Sequence, residues 1–226
     1  MNKKGFIFDL DGVIVDTAKY HFLAWKKLAN QLGFKFTEEQ NEMFKGVSRK
    51  RCLEILLEIG NIEATKTQFD SWMLEKNLDY LDYIAKMNET EILPDVTRIL
   101  KFLKNKKSPI ALGSASKNAQ PILEKVKLLS YFDVIIDGNH VTKAKPDPEV
   151  FLLAAKQLGE NPQDCIVFED AVAGIQAANT ANMISIGIGE ASVLNEADFV
   201  FKDFTEISSE FLEKISQVKK KELKKV

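Results

Sequence analysis

The sequence predicts an α/β fold in which a parallel sheet covered by helices is interrupted, after its first strand, by an all-helical insertion. Three observations carry this prediction. From about residue 91 onward, short apolar runs alternate with helical patterns, which marks a parallel sheet covered on both faces. Between Thr17 and about Met87 the pattern is helical throughout, with no strand signal. A strand-type run, Phe6-Ile7-Phe8, stands alone ahead of that stretch. The expected domains are an α/β core from residues 1–16 and 88–226 and a helical cap from 17–87.

Taken in order, the first run ends in Asp9-Leu10-Asp11-Gly12. Residues two apart on a strand point to one side, so Asp9 and Asp11 present paired acids at the strand end, and Gly12 lets the backbone turn. Paired carboxylates are costly unless a metal or a proton relieves them; the same residues also make an ordinary acidic turn. His21, Trp25, Leu28 and Leu32 then form a helical stripe that Gly33 stops. After the joint Lys45-Gly46-Val47-Ser48-Arg49, Ser48 caps a helix carrying Leu53, Leu56 and Leu57, which Gly60 ends. A long helix from about Thr65 to Met87 gathers Phe69, Trp72, Met73, Tyr80 and Tyr83 on one face. Lys76 falls in the middle of that face, where a lysine ordinarily snorkels to water, and His21 on its apolar stripe reads as a core histidine. The later strands are Ile110–Gly113, Val134–Asp137, Cys165–Phe168, Ile184–Ile188 and Phe199–Phe201. Helices are expected over Val96–Leu103, Ala119–Leu128, Pro148–Leu158, Val172–Thr180 and Ile207–Val218.

Composition narrows the class. At 226 residues, 45% hydrophobic and 28% charged, the chain suits one α/β domain with an insertion. No apolar run approaches the roughly 20 residues that cross a bilayer, and Met1-Asn2-Lys3-Lys4 leads straight into the first strand without a secretory pattern. Cys52 and Cys165 supply neither a disulfide framework nor a zinc pattern. A cytoplasmic monomer is expected. The net charge of −2 offers no basic field for nucleic acid, and the basic tail Lys219–Lys225 reads as a solvated end.

In an open parallel sheet the site lies beyond the carboxyl ends of the strands. Those ends supply, in succession, Asp9 and Asp11, the hydroxyl-rich turn Ser114-Ala115-Ser116-Lys117-Asn118, the segment Lys143-Ala144-Lys145-Pro146, and the acid pair Glu169-Asp170. Each alone is ordinary; the Ser114 turn by itself is a helix cap. Together they suit phosphoryl transfer. Two acid pairs form a hard-oxygen cage for Mg²⁺, a lysine neutralises carboxylate and phosphoryl oxygen, and a hydroxyl-lined helix start accepts phosphate. One aspartate can attack phosphorus while the other moves a proton. Asp9, last in the apolar run, suits the nucleophile, and Asp11, turned outward by Gly12, suits the acid/base.

Asp9-Leu10-Asp11-Gly12-Val13, the Ser114 turn, Lys145-Pro146 and Glu169-Asp170 together resemble the four signature motifs of the haloacid dehalogenase superfamily, and the helical insertion resembles its small-bundle cap. The resemblance implies a Rossmann-like core. The chain is further similar to the β-phosphoglucomutase family at Thr17, His21 and Trp25, at Lys45-Gly46-Val47-Ser48-Arg49, at Lys76 and at Ser114–Asn118. That similarity implies that Asp9 carries the phosphoryl group and Asp11 is the acid/base. Asp9, the Asp11 carbonyl, Glu169 and Asp170 would hold Mg²⁺, and Ser114 and Lys145 would bind the transferring phosphoryl. Arg49, Ser116, Lys117 and Asn118 would grip the other phosphate, with Ala115 in the same turn. His21 and Lys76 would face the sugar, with Thr17, Trp25, Gly46, Val47 and Ser48 beside it. The implied reaction interconverts β-D-glucose 1-phosphate and β-D-glucose 6-phosphate through β-glucose 1,6-bisphosphate. A sugar-phosphate phosphatase needs only one phosphate position, and a silent phosphosugar-binding protein needs neither acid pair. Ala171 departs from the pattern, since relatives often carry a hydroxyl residue there.

Overall fold

The computed structural model describes residues 4–44, 47–218 and 220; Lys45, Gly46 and most of the basic tail lie outside them. Six parallel strands, β1 (Gly5–Phe8), β2 (Ile110–Gly113), β3 (Val134–Ile136), β4 (Cys165–Glu169), β5 (Ile184–Ile188) and β6 (Phe199–Phe201), form one sheet in the order β3-β2-β1-β4-β5-β6. The central strands β1, β2, β4 and β5 are buried at every residue. This is why they read as continuous apolar runs rather than as alternating ones. The edge strand β6 is half-buried.

The helices are α1 (Ala18–Gln31), α2 (Glu38–Glu42), α3 (Arg49–Gly60), α4 (Lys66–Ile84), α5 (Val96–Asn105), α6 (Ala119–Lys125), α7 (Glu149–Leu158), α8 (Val172–Thr180) and α9 (Ser209–Ile215). Apolar residues of α5, α6 and α9 join Phe6, Phe8 and Phe168 on one face of the sheet, where Phe8 stacks on Phe168 with centroids 4.6 Å apart. Ile7 and Val167 pack with α7 and α8 on the other face. Neighbouring strand residues thus serve opposite layers, the arrangement a doubly covered sheet requires.

Between β1 and α5 the described residues form helices and no strand. Trp25, Leu28, Phe36, Leu53 and Leu56 build a separate apolar cluster among α1 to α4. The two chain crossings run side by side. Asp16 N–H donates to the Glu91 carbonyl at 3.0 Å, and Leu93 N–H donates to the Ile14 carbonyl at 3.0 Å.

Several boundaries differ from the sequence expectation. Gly33 ends α1 as expected, at φ +90, and Ser48 caps α3 by accepting from Arg51 N–H at 3.4 Å. The left-handed residue after α3, however, is Asn61, with φ 50. Gly60 is the last helical residue, and a Cβ there would lie 2.5 Å from the Phe34 ring. Its role is close packing rather than termination. The short α2 was not expected, although Thr37 and Gln40 form a reciprocal capping box that its sequence spells out. No helix among the described residues is long and apolar enough to cross a membrane.

Candidate active site

The site is built at the carboxyl ends of β1, β2 and β4, beside the point where the strand order reverses. β1 delivers Asp9, whose backbone N–H donates to the Phe168 carbonyl at 3.0 Å. Beyond it Gly12 turns at φ +80, and a Cβ there would lie 2.1 Å from an Asp170 carboxylate oxygen. Only glycine brings the β1 and β4 loops this close.

Lys145 lies between two acids. Its ammonium donates to Asp9 Oδ1 at 2.6 Å and to Glu169 Oε2 at 2.8 Å, all three residues being buried. Burial opposes the lysine charge, but Asp9 and Glu169 outweigh it and hold the ammonium pKa above its ordinary value. Burial lifts the Glu169 carboxyl, and Lys145 opposes that lift. The lysine also lies 4.8 Å from the centroid of the Phe151 ring, follows Ala144 and precedes Pro146 across a cis bond.

Carboxylate oxygens of Asp9, Glu169 and Asp170 lie within 4.8 Å of one another. An all-oxygen, acidic donor set of this kind fits a hard divalent cation such as Mg²⁺. The Asp11 carboxylate is outside that set; it accepts a short hydrogen bond from the Thr17 hydroxyl. Burial, with the Asp9 charge adding, pushes the Asp11 carboxyl up to about 6. The residue after the acid pair, Ala171, opens α8 without a side-chain cap, and its backbone N–H donates to Glu169 Oε1 at 3.2 Å. The missing hydroxyl therefore leaves Glu169 still held by the chain.

The Ser114 turn is internally braced. Ser116 N–H donates to Ser114 Oγ at 3.0 Å, and Asn118 N–H donates to Ser116 Oγ at 3.2 Å. From the β3 side, Gly138 N–H donates to the Ser116 carbonyl at 3.1 Å and Asn139 donates to the Lys117 carbonyl at 3.0 Å.

Across a cavity of about 430 Å³ stand residues of α1, α3 and α4. Lys76 does not snorkel; it is 1% exposed. Its ammonium lies 4.6 Å from the centroid of the Trp25 ring and 4.8 Å from that of Tyr80, and 3.0 Å from His21 Nδ1. Aromatic faces and an imidazole replace the water a buried ammonium loses. Burial, reinforced by Arg49, lowers the Lys76 pKa to about 7. Burial and the charges of Lys76 and Arg49 hold His21 well below its ordinary value. With Lys76 donating to Nδ1, the neutral ring carries its proton on Nε2, which faces Asp11 Oδ1 at 3.9 Å. Burial also lowers the Arg49 pKa.

Of the residues expected from sequence, Asp9, Asp11, His21, Trp25, Val47, Ser48, Arg49, Lys76, Ala115, Ser116, Lys117 and Asp170 line this one cavity. Thr17 and Lys145 stand behind it in contact with Asp11 and Asp9 respectively, and Glu169 is held there by Lys145. Ser114 is buried beneath the turn it braces, and Asn118 is 9% exposed. Gly46 lies outside the described residues. Sequence reasoning missed Val141 and Thr142, which form part of the wall beside the expected Lys143 and Ala144. It also missed Tyr80 as the partner of His21, their rings 4.2 Å apart. The signal for Tyr80 was available: it follows Lys76 by one helical turn.

The chain matches the haloacid dehalogenase-like hydrolase family over residues 3–182. It is similar to β-phosphoglucomutase of Bacillus subtilis, at 42% identity covering 92% of this chain and 93% of that protein. It is also similar to the phosphorylated carbohydrates phosphatase of Thermotoga maritima, at 32% identity covering 78% and 81%. Among solved structures, β-phosphoglucomutase from Clostridium difficile aligns with a TM-score of 0.90 and 40% identity over 94% of this chain and 96% of that one. With the strand-end cluster, the sheet order and these matches in agreement, the chain belongs to the haloacid dehalogenase-like hydrolase family.

Proposed function

We propose that this chain is a β-phosphoglucomutase, interconverting β-D-glucose 1-phosphate and β-D-glucose 6-phosphate through β-glucose 1,6-bisphosphate. One observation carries the reading beyond the family. A single cavity has a phosphoryl-transfer cluster at the strand ends and a second set of cations, Arg49, Lys76 and Lys117, along its other walls. A bisphosphate needs two such places at once; a phosphatase needs one. Similarity to the Bacillus subtilis and Clostridium difficile enzymes supports the same choice.

In this reading an Asp9 carboxylate oxygen attacks phosphorus, the phosphorus–oxygen bond to the donor breaks, and Asp11 gives its proton to the departing sugar oxygen. A carboxyl with a pKa of about 6 can hold that proton and release it near neutrality. On the return step the same group takes the proton from the attacking hydroxyl of the rotated sugar. Lys145 and Ser114 hold the transferring phosphoryl oxygens. Arg49, Ser116, Lys117 and Asn118 hold the other phosphate, and His21 and Lys76 orient the sugar. Asp9, Glu169, Asp170 and the Asp11 carbonyl would hold Mg²⁺, which supplies charge neutralisation at the reacting phosphoryl. Residues 17–87 act as a cap that excludes water, and 1–16 with 88–226 act as the core. The paired crossings at Ile14–Asp16 and Glu91–Leu93 are where the cap would pivot. We read the protein as a cytoplasmic monomer.

The test is pure protein with Mg²⁺, β-glucose 1-phosphate and a trace of the bisphosphate, followed through glucose 6-phosphate. Steady glucose 6-phosphate formation that depends on the primer is expected. Release of inorganic phosphate without it would assign a sugar-phosphate phosphatase instead.

A further inference from the structure

Lys76 and Tyr80 of α4 point into the cavity cluster, but the half-buried residue between them, Asn77, reaches elsewhere. Its Oδ1 accepts a hydrogen bond from Asn118 Nδ2 at 3.2 Å, joining α4 to the Ser114–Asn118 turn. The backbone of that turn is braced from the core side, through Ser114, Gly138 and Asn139. The Asn118 side chain is held from α4.

The consequence lies in the chemistry of a carboxamide. It has a donor end and an acceptor end, and a phosphate oxygen can use only the donor end. Asn77, a carboxamide itself, presents its Oδ1 here, and the Asn118 amino group accordingly faces α4. One N–H of that group is given to Asn77, and the second remains for a phosphate oxygen. Without Asn77 the amide can turn its carbonyl toward the anion.

We infer that Asn77 is a positioning residue: it sets the orientation of the Asn118 amide so that the turn receives the sugar phosphate only when α4 is seated against the core. This rests on the proposed function for the role of Asn118, and it adds a coupling between cap closure and phosphate grip.

The experiment is a double-mutant cycle on binding, which does not require turnover. Titration calorimetry with glucose 6-phosphate is run on the Asp9→Asn protein, alone and with Asn77→Ala, Asn118→Ala or both, with melting temperatures in parallel. Asn77→Ala is expected to weaken binding about five-fold, the loss of one neutral hydrogen bond, and to add less than about 1.5-fold in the Asn118→Ala background. Unchanged affinity, or the same loss in both backgrounds, overturns the inference, because Asn77 would then act through something other than Asn118. Should Asn77→Ala fail to fold, Asn77→Asp keeps an acceptor oxygen but sets a charge beside the phosphate. It is expected to weaken binding while melting as the parent does, and equal affinity overturns the inference. A wild-type protein that yields only inorganic phosphate while the coupling is present removes the mutase reading and leaves Asn77 in place. Normal mutase activity without the coupling does the reverse.

Discussion

At the strand ends Lys145 sits between Asp9 at 2.6 Å and Glu169 at 2.8 Å, whereas across the cavity Arg49 and Lys76 have no carboxylate within ion-pair distance among the described residues. The core cluster is a buried charge set in which one ammonium holds two carboxylates. The cap cluster is a half-buried Arg49 and a buried Lys76 whose pKa values burial has lowered. A paired set of this kind is fixed in place before substrate arrives. A cationic set without a carboxylate partner favours any anion that enters, and a sugar phosphate brings one. We read the two walls as doing different work: fixed geometry for the chemistry on one side, recognition and closure on the other.

The largest test of this contrast removes the cation that the core holds between its acids. Lys145→Ala is expected to lower turnover by about 10³-fold. Measured without divalent metal, it should also lower Tm by roughly 10 °C, because two buried carboxylates lose their partner. A protein that melts unchanged would show that the core set is not held by pairing. The corresponding change on the cap, Arg49→Ala, should separate the two readouts. Mutase kcat/KM is expected to fall by about 10²-fold, the scale of a lost charged contact, with Tm unchanged. Asp9 should still accept phosphate from a small donor, detected as the phosphorylated peptide by mass spectrometry. Loss of that phosphorylation would merge the two walls into one function.

The smallest effect concerns pH. The Lys76 pKa lies at about 7 in the folded protein against an ordinary 10.5. The unfolded chain therefore holds the proton more tightly, and stability rises as pH rises from 7 toward 10.5. Below pH 7 both states are protonated and the penalty is complete. Lys76→Met should thus raise Tm, by about 4 °C at pH 6, with the gain shrinking toward pH 10. A gain that is independent of pH would mean that Lys76 is penalised by its size and not by its charge.

The core half of this site was legible because its signals are contiguous. Asp9-Leu10-Asp11-Gly12 and Glu169-Asp170 each sit directly after an apolar run, Lys145-Pro146 follows one after a loop, and a buried parallel strand allows only one end for chemistry. The cap half was less legible, since helical periodicity places Lys76 on an apolar face but cannot say whether water reaches it. Trp25, Tyr80 and His21 converge on that lysine from two helices, and only their packing turns a snorkelling residue into a buried one. Gly60 shows the same limit at the level of the chain. It looks like a helix stop, yet the constraint is the Phe34 ring from another segment. Asn77 has no sequence signature at all, because a carboxamide on a helix is ordinary until its partner in a distant turn is known.

The central claim is that phospho-Asp9 passes its phosphoryl group to a sugar and not to water. The most direct measurement supplies β-glucose 1,6-bisphosphate labelled with ³²P on both phosphates to the Mg²⁺-loaded protein, with excess unlabelled β-glucose 1-phosphate, and follows the label by rapid quench. Label appearing first in phospho-Asp9 and glucose 6-phosphate, and then in newly formed bisphosphate, well ahead of inorganic phosphate, is the predicted result. Label passing from phospho-Asp9 mainly to inorganic phosphate would contradict it.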